Sequence, residues 1–268
     1  MNTIAFLTDW GISSYYVSVC KSVIKKINGN CDIIDITHNA GHFNIKKYAA
    51  IIMRACKDFE DGTVFLCVVD PTVGSSRKAI AFETLKKKLY FVGPDNGLFS
   101  YVIDEYDVNE AYELTNKNFY YKSEYSSTFH GRDIFSPAAA YISKGILLNH
   151  FGPKVENLIT FNIKKPKIKN NQIICDFLYK DDFGNIETNL DYNFLNNKYS
   201  GKKFMVEING IKKEIVFVKN YSEVKKNELL IHLDSSGYYE ISKNMGNASE
   251  EFNIDNQFEG EVKIFSND

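Results

Sequence analysis

Residues 63–70 read TVFLCVVD, and a strand with no polar residue between Thr63 and Asp70 is stable only with both of its faces covered. Two further strands of β-branched and aromatic residues precede it, TIAFLTD at 3–9 and CDIIDIT at 31–37. The segments between them have helical spacing. Tyr16, Val19, Cys20, Val23, Ile24 and Ile27 recur three or four residues apart, Lys21, Lys25 and Lys26 take the opposite face, and Gly29 is the stop. IKKYAAIIMRACKDF at 45–59 is predicted to form a second helix. Strand, helix, strand, helix, strand in this order predicts an α/β domain built on a mostly parallel sheet covered on both faces. KAIAFET (78–84) and KLYFVG (88–93) are further strands joined by a turn at TLKK, and DIFSPAAAYISKG (133–145) reads as a helix late in the domain.

The texture changes after Pro153. NLITFNIKKPKIKNN is rich in lysine and asparagine, and the remainder of the chain is mainly β-like, with Asn209-Gly210 as a hairpin turn. At 268 residues the chain is long for one core. Two domains are expected, 1–155 α/β and 165–268 rich in strands. The 32 basic residues nearly cancel the 34 acidic ones, for a formal charge of −2, and no long basic run follows a phosphate backbone, so nucleic acid is not an expected partner. Cys20, Cys31, Cys56, Cys67 and Cys175 are scattered without a CxxC pair, and are expected to be buried reduced thiols rather than metal ligands. A polar start and the early Asp9 interrupt the first apolar run, and no stretch reaches membrane-spanning length. A cytoplasmic protein without a membrane partner is the expectation.

Ligands of open parallel sheets bind beyond the carboxyl ends of the strands. Thr8 and Asp9 close the first strand, Asp35 and His38 the second, and Asp70 the third. No two glycines are separated by a single residue, so the dinucleotide fingerprint GxGxxG is absent, as is a Walker loop. A nucleoside without phosphates fits better, with Asp9 accepting from both ribose hydroxyls. Asp70, Arg77 and His130 combine a base, a cation and an imidazole in short glycine-bearing motifs, DPTVGSSR and FHGRD. Gly74 is expected to let backbone approach the ligand. Taken singly, each residue also has a structural reading: Asp70 capping a turn, Arg77 pairing with it, His130 an ordinary histidine, and Asn185 or the GPDNGL segment simple turn chemistry.

In their order along the chain, TDWG, DITH, DPTVGSSR, GPDNGL, FHGRD, DDFGNIETN and SSGYYEISKNMGNA resemble the S-adenosylmethionine hydroxide adenosyltransferase family, related to fluorinating and chlorinating enzymes. The resemblance implies a Rossmann-like N-terminal domain, a C-terminal β-barrel-like domain, and a homotrimer with substrate held between subunits. It implies cleavage of S-adenosylmethionine by water to adenosine and methionine, that molecule being substrate, with no cofactor and no metal. By the matching positions, Asp70, Arg77 and His130 are the water-activating set and Asp9 holds the ribose. Asp182 and Asn185 match a methionine-binding motif, Ser235 a carboxylate ligand, and Lys243, Asn244 and Met245 an adenine-binding edge.

Two departures stand out. THNAGHFN at 37–44 replaces a proline-bearing stretch and is expected to alter a pocket wall, whereas Trp10, in place of phenylalanine, is expected to change little. Halide transfer to the same carbon is the nearest alternative. The relatives that use halide resemble this chain in substrate-binding motifs but lack the histidine of FHGRD and carry an extra loop, which is not found here. A sensor that binds adenosine or S-adenosylmethionine without cleaving it is the alternative from another class.

Overall fold

The computed structural model describes residues 3–195 and 201–266. By its contacts the chain divides into two units, Met1–Phe161 and Asn162–Asp268.

The first unit is a six-stranded sheet with helices. Its strands are β1 (Thr3–Thr8), β2 (Asp32–Thr37), β3 (Val64–Val68), β4 (Ala79–Thr84), β5 (Tyr90–Pro94) and β6 (Val108–Glu113), in spatial order β2-β1-β3-β5-β4-β6. β2, β1, β3 and β5 run parallel, whereas β4 is antiparallel to both β5 and β6. The run of buried side chains through β3 reflects its place inside the sheet. Helix α1 (Tyr16–Ile27) has the span that its spacing predicts, and α2 covers Ile45–Cys56, with the Asn44 side chain accepting from the Lys47 amide. Two further helices are α3 (Ser100–Tyr106) and α4 (Ser136–Ser143).

Alternation along the strands builds two apolar layers. Ile4 and Phe6 of β1 pack with Cys20 and Ile24 of α1 and with Ala138, Ala139 and Ile142 of α4. A ladder of rings forms another part of the core: Phe65 stacks on Phe91 at 5.0 Å, Phe91 on Phe82 at 4.9 Å, and Phe99 meets both edge-on. At Gly93 a Cβ would lie 2.2 Å from the Cys67 carbonyl oxygen, so only glycine allows β5 to run this close to β3.

The second unit is a closed barrel. Its strands are β7 (Lys167–Lys169), β8 (Gln172–Lys180), β9 (Ile186–Asp191), β10 (Lys203–Ile208), β11 (Ile211–Phe217), β12 (Leu229–Leu233), β13 (Tyr238–Lys243) and β14 (Glu261–Ser266). The order β14-β10-β11-β12-β13-β9-β8 closes on itself through β14 and β8, with β7 added outside β8. Closure removes the free edges of the seven strands that form the ring. Asn209 and Gly210 both have positive φ, 53° and 73°, and turn β10 into β11. All five cysteines are buried and free. No helix is long and apolar enough to cross a membrane, among the described residues.

Candidate active site

The loops at the carboxyl ends of β1, β2 and β3 gather polar groups. Asp70 follows β3, and the loop it opens returns Arg77 to its side. Arg77 Nε lies 3.1 and 2.9 Å from the two carboxylate oxygens, and Nη2 also donates to Oδ2. Both side chains are only 6% exposed. Nη2 further donates to His130 Nδ1 at 2.8 Å, so one guanidinium joins carboxylate and imidazole. The Arg77 guanidinium also sits over the Phe135 ring, 5.2 Å from its centroid.

His130 precedes a single π-helical turn, Gly131–Phe135, which leads into α4. An arginine is a donor only, so Nδ1 is the acceptor and the ring is neutral with its proton on Nε2. Burial, then the charge of Arg77, lowers the His130 pKa below the ordinary 6.5, in accord with a neutral ring. Asp133, fully buried, pairs with Arg132 at 2.6 Å and accepts from the Ser126 amide, so the 120s loop is anchored to the same turn.

A cavity of about 460 Å³ opens here, lined by Trp10, Tyr16, Asp70, Phe129, His130 and Arg132 among others. Its volume is that of a site for a small organic molecule. Trp10 is placed by edge contacts with Phe6, Tyr16 and Phe129. A Cβ on Gly131 would lie 2.4 Å from its Cη2, so the outer ring of the indole rests on the backbone beside His130. A phenyl ring on the same Cβ would stop short of this contact; the tryptophan therefore shapes the wall more than sequence reasoning allows. Gly74 has a structural reason of its own. Its φ is +82°, and a Cβ there would meet the Ser127 carbonyl oxygen at 2.9 Å, so the glycine brings two protein loops together.

Asp9 is buried one residue before Trp10 and lies outside the lining of that cavity. Its Oδ2 accepts from the Phe43 amide at 2.9 Å, and its carbonyl bonds His42 Nδ1 at 2.6 Å. Phe43 adopts φ +62° to make this contact. The loop containing THNAGHFN thus clamps Asp9, and none of its residues is in the lining of the cavity. Burial raises the Asp9 pKa, and the nearby Asp70 carboxylate adds to the effect. His38 bonds Thr8 Oγ1 at 2.8 Å and faces Asp35 Oδ1 at 3.2 Å, tying the ends of β1 and β2 together. Asp95 and Asn96 of GPDNGL serve the fold: Asp95 accepts from the Ile159 amide, and the Asn96 side chain donates to the Val69 carbonyl.

In the barrel unit a second cavity, of about 660 Å³, is lined by Asp181, Phe183, Asn185, Tyr221, Lys243, Met245 and Gly246. Asn185, Lys243 and Met245 thus come together. The side chain of Asn244 instead donates to the Val224 carbonyl, while its backbone bonds Glu228. Asp182 is exposed and outside this lining, and Ser235 is exposed in the β12–β13 hairpin, whose turn is held by Asp234. Asp181 folds the 181–185 loop by accepting from the Phe183 and Asn185 amides and from the Asn185 side chain. Burial raises its pKa. Sequence reasoning missed Asp181, Phe183 and Tyr221. The four-residue spacing of Asp181 and Asn185 was the available signal for the first.

Models of the SAM hydroxide adenosyltransferase N-terminal and C-terminal domains match residues 4–152 and 175–259. The chain belongs to the SAM hydroxide adenosyltransferase family. It is 36% identical to the (R)-S-adenosyl-L-methionine hydrolase of Methanocaldococcus jannaschii, over 95% of this chain and 93% of that one. A crystal structure of an uncharacterized conserved protein from Thermotoga maritima is 40% identical, with a TM-score of 0.93 over 98% of this chain and 99% of that one. A fluorinase of Actinoplanes sp. is more distant, at 23% identity over 94% of each chain.

Proposed function

We propose that this protein hydrolyses S-adenosyl-L-methionine to adenosine and L-methionine. The observation that carries the reading is the unbroken chain Asp70–Arg77–His130, whose two ends line the cavity. Curated relatives at 36 and 32% identity are named (R)-S-adenosyl-L-methionine hydrolase, which supports it further.

The sulfonium makes methionine a neutral leaving group, so no acid is needed at sulfur. A water oxygen attacks ribose C5′, the C5′–S bond breaks with its electron pair going to sulfur, and one proton leaves the attacking water. Aligning that water opposite the C–S bond removes much of the entropic barrier. His130 offers Nε2–H and has its Nδ1 occupied by Arg77, so it orients the water as a donor. Asp70 then accepts the proton, with Arg77 fixing the carboxylate. The neighbouring Asp9 is proposed to hold the ribose hydroxyls. In the barrel unit, Asn185 with Asp182, and Ser235, take the methionine end, and Lys243, Asn244 and Met245 the adenine edge. The reaction so written uses no cofactor and no metal.

The proposal extends to a cytoplasmic homotrimer. Five buried free thiols suit a reducing compartment, and the exposed Ile12, Tyr15 and Phe43 of the first unit suit a surface covered by association. Light scattering at micromolar concentration gives three chains per particle on this view; a stable monomer contradicts it.

Incubation of the purified protein with S-adenosylmethionine, with and without chloride, tests the reaction. Adenosine and methionine in equal amounts are expected in both. 5′-Chloro-5′-deoxyadenosine as main product, or substrate intact after hours despite tight binding, overturns it.

A further inference from the structure

The barrel buries a charged cluster that the proposed reaction leaves unused. His232 of β12 and Glu240 of β13 are paired in register, and His232 Nε2 lies 2.7 Å from Glu240 Oε1. The same oxygen accepts from the Tyr221 hydroxyl at 2.8 Å and from Ser242 Oγ at 2.7 Å. The imidazole is spoken for at both nitrogens, since Nδ1 lies 3.1 Å from the Leu233 carbonyl oxygen; with two acceptors it carries two protons. Burial opposes that charge, but the hydrogen bond and charge of Glu240 outweigh it and raise the His232 pKa. Burial likewise opposes the Glu240 charge, and its three donors hold it down to about 2.

An apolar group could fill such a place with equal or greater stability, so the ion pair is poor evidence of a stabilising role. Its geometry suggests another. The Tyr221 ring meets the His232 ring edge-on at 4.8 Å, while its hydroxyl reaches Glu240. Ring position and ring rotation are therefore both set by the pair. Tyr221 itself begins a three-residue helical turn, Tyr221–Glu223, in the connection between the parallel strands β11 and β12. That turn is too short to orient a side chain alone. Tyr221 lines the barrel cavity with Asp181, Phe183 and Met245. Its hydroxyl proton is committed to Glu240, so the ring is what it offers a ligand.

We propose that His232 and Glu240 are positioning residues that hold the Tyr221 ring in place as a preformed wall for the flat base of the nucleoside. This rests on the reading above that the barrel cavity takes part of the substrate. Among the described residues, Glu187, across from Glu240 on β9, Asp234 and Asp181 are the other acidic groups around the pair. They make His232 the positive charge that lets Glu240 stay ionised.

Adenosine binding by calorimetry, on the full-length protein, tests the inference. Tyr221→Phe keeps the ring and loses the anchor; the expected Kd is roughly 3- to 10-fold weaker, as for one lost hydrogen bond. Glu240→Gln is expected to raise KM for S-adenosylmethionine by a similar factor with kcat within about twofold, and the double variant to be no worse than the weaker single one. A merely structural role would lower the melting temperature and leave Kd unchanged in the folded protein. Parent-like Kd in Tyr221→Phe, with the circular dichroism spectrum intact, overturns the inference even if the parent hydrolyses its substrate normally. Failure of the parent to bind adenosine at all overturns the underlying reading, and this inference with it.

Discussion

The two units each join a histidine to a carboxylate, and they do so in opposite ways. In the first, Arg77 stands between Asp70 and His130, donating to both. The guanidinium supplies the positive charge, so the imidazole stays neutral and keeps Nε2–H for another partner. In the barrel, His232 touches Glu240 directly and also meets a backbone carbonyl, so it becomes the cation itself. One inserted donor therefore separates a histidine that can serve an incoming water from one whose hydrogen-bonding capacity is spent inside the protein. Surroundings decide the rest: His130 borders a cavity, whereas His232 is buried behind Tyr221.

The comparison breaks most visibly at the carboxylates. Asp70→Asn removes the proton acceptor and is expected to lower kcat roughly 10²–10⁴-fold with adenosine affinity nearly intact, read by single-turnover kinetics and calorimetry. Near-normal turnover would mean that Asp70 is not the base. Donor and base roles for His130 separate next. His130→Ala should cost roughly 10²-fold in kcat. His130→Gln, which can still present an N–H, should recover a good part of that loss; equal loss in both would favour a base.

On the barrel side, His232→Leu strands a buried carboxylate and is expected to lower the unfolding free energy by about 3 kcal/mol, measured in urea. A change below about 0.5 kcal/mol would show that Glu240 does not depend on the imidazolium.

The smallest effect is in the pH dependence of stability, and its sign differs between the histidines. His232 is raised above its ordinary 6.5, so its contribution is complete below 6.5 and lost as the pH climbs through the raised value. His130 is lowered, so its contribution is present above 6.5 and lost as the pH falls through the lowered value. Glu240 contributes above its ordinary 4.5 and loses that as the pH falls towards 2. Melting curves of the parent and the His232→Gln and His130→Gln variants across pH 4 to 9 should show the two histidine effects fading in opposite directions; parallel curves would contradict the assignment.

Much of the fold and part of the site are legible in the residues alone. The helical spacing from Tyr16 to Ile27 and the apolar run of β3 mark the α/β unit, because periodicity records which faces are covered. The polar VNEAYE strand and the short α3 carry no such signal, and the antiparallel course of β4 is set by a turn rather than by a pattern. Asp70, Arg77 and His130 are legible from their places near strand ends and in short motifs. That Arg77 stands between the other two depends on a loop returning to within hydrogen-bond distance, and so does the tautomer. Which of Asp181 and Asp182, side by side in one motif, lines the barrel cavity is decided by the turn at Gly184, not by residue type. His232, Glu240 and Tyr221 meet through strand pairing and a loop crossing, which no spacing in the sequence records.

The protonation of His130 tests the account most directly. Nitrogen-15 NMR of the histidine rings in the free protein at neutral pH should show His130 neutral, with its proton on Nε2. A proton on Nδ1, or a charged ring at that pH, would mean that Arg77 does not hold the imidazole, and that Asp70 is not left alone to take the proton from water.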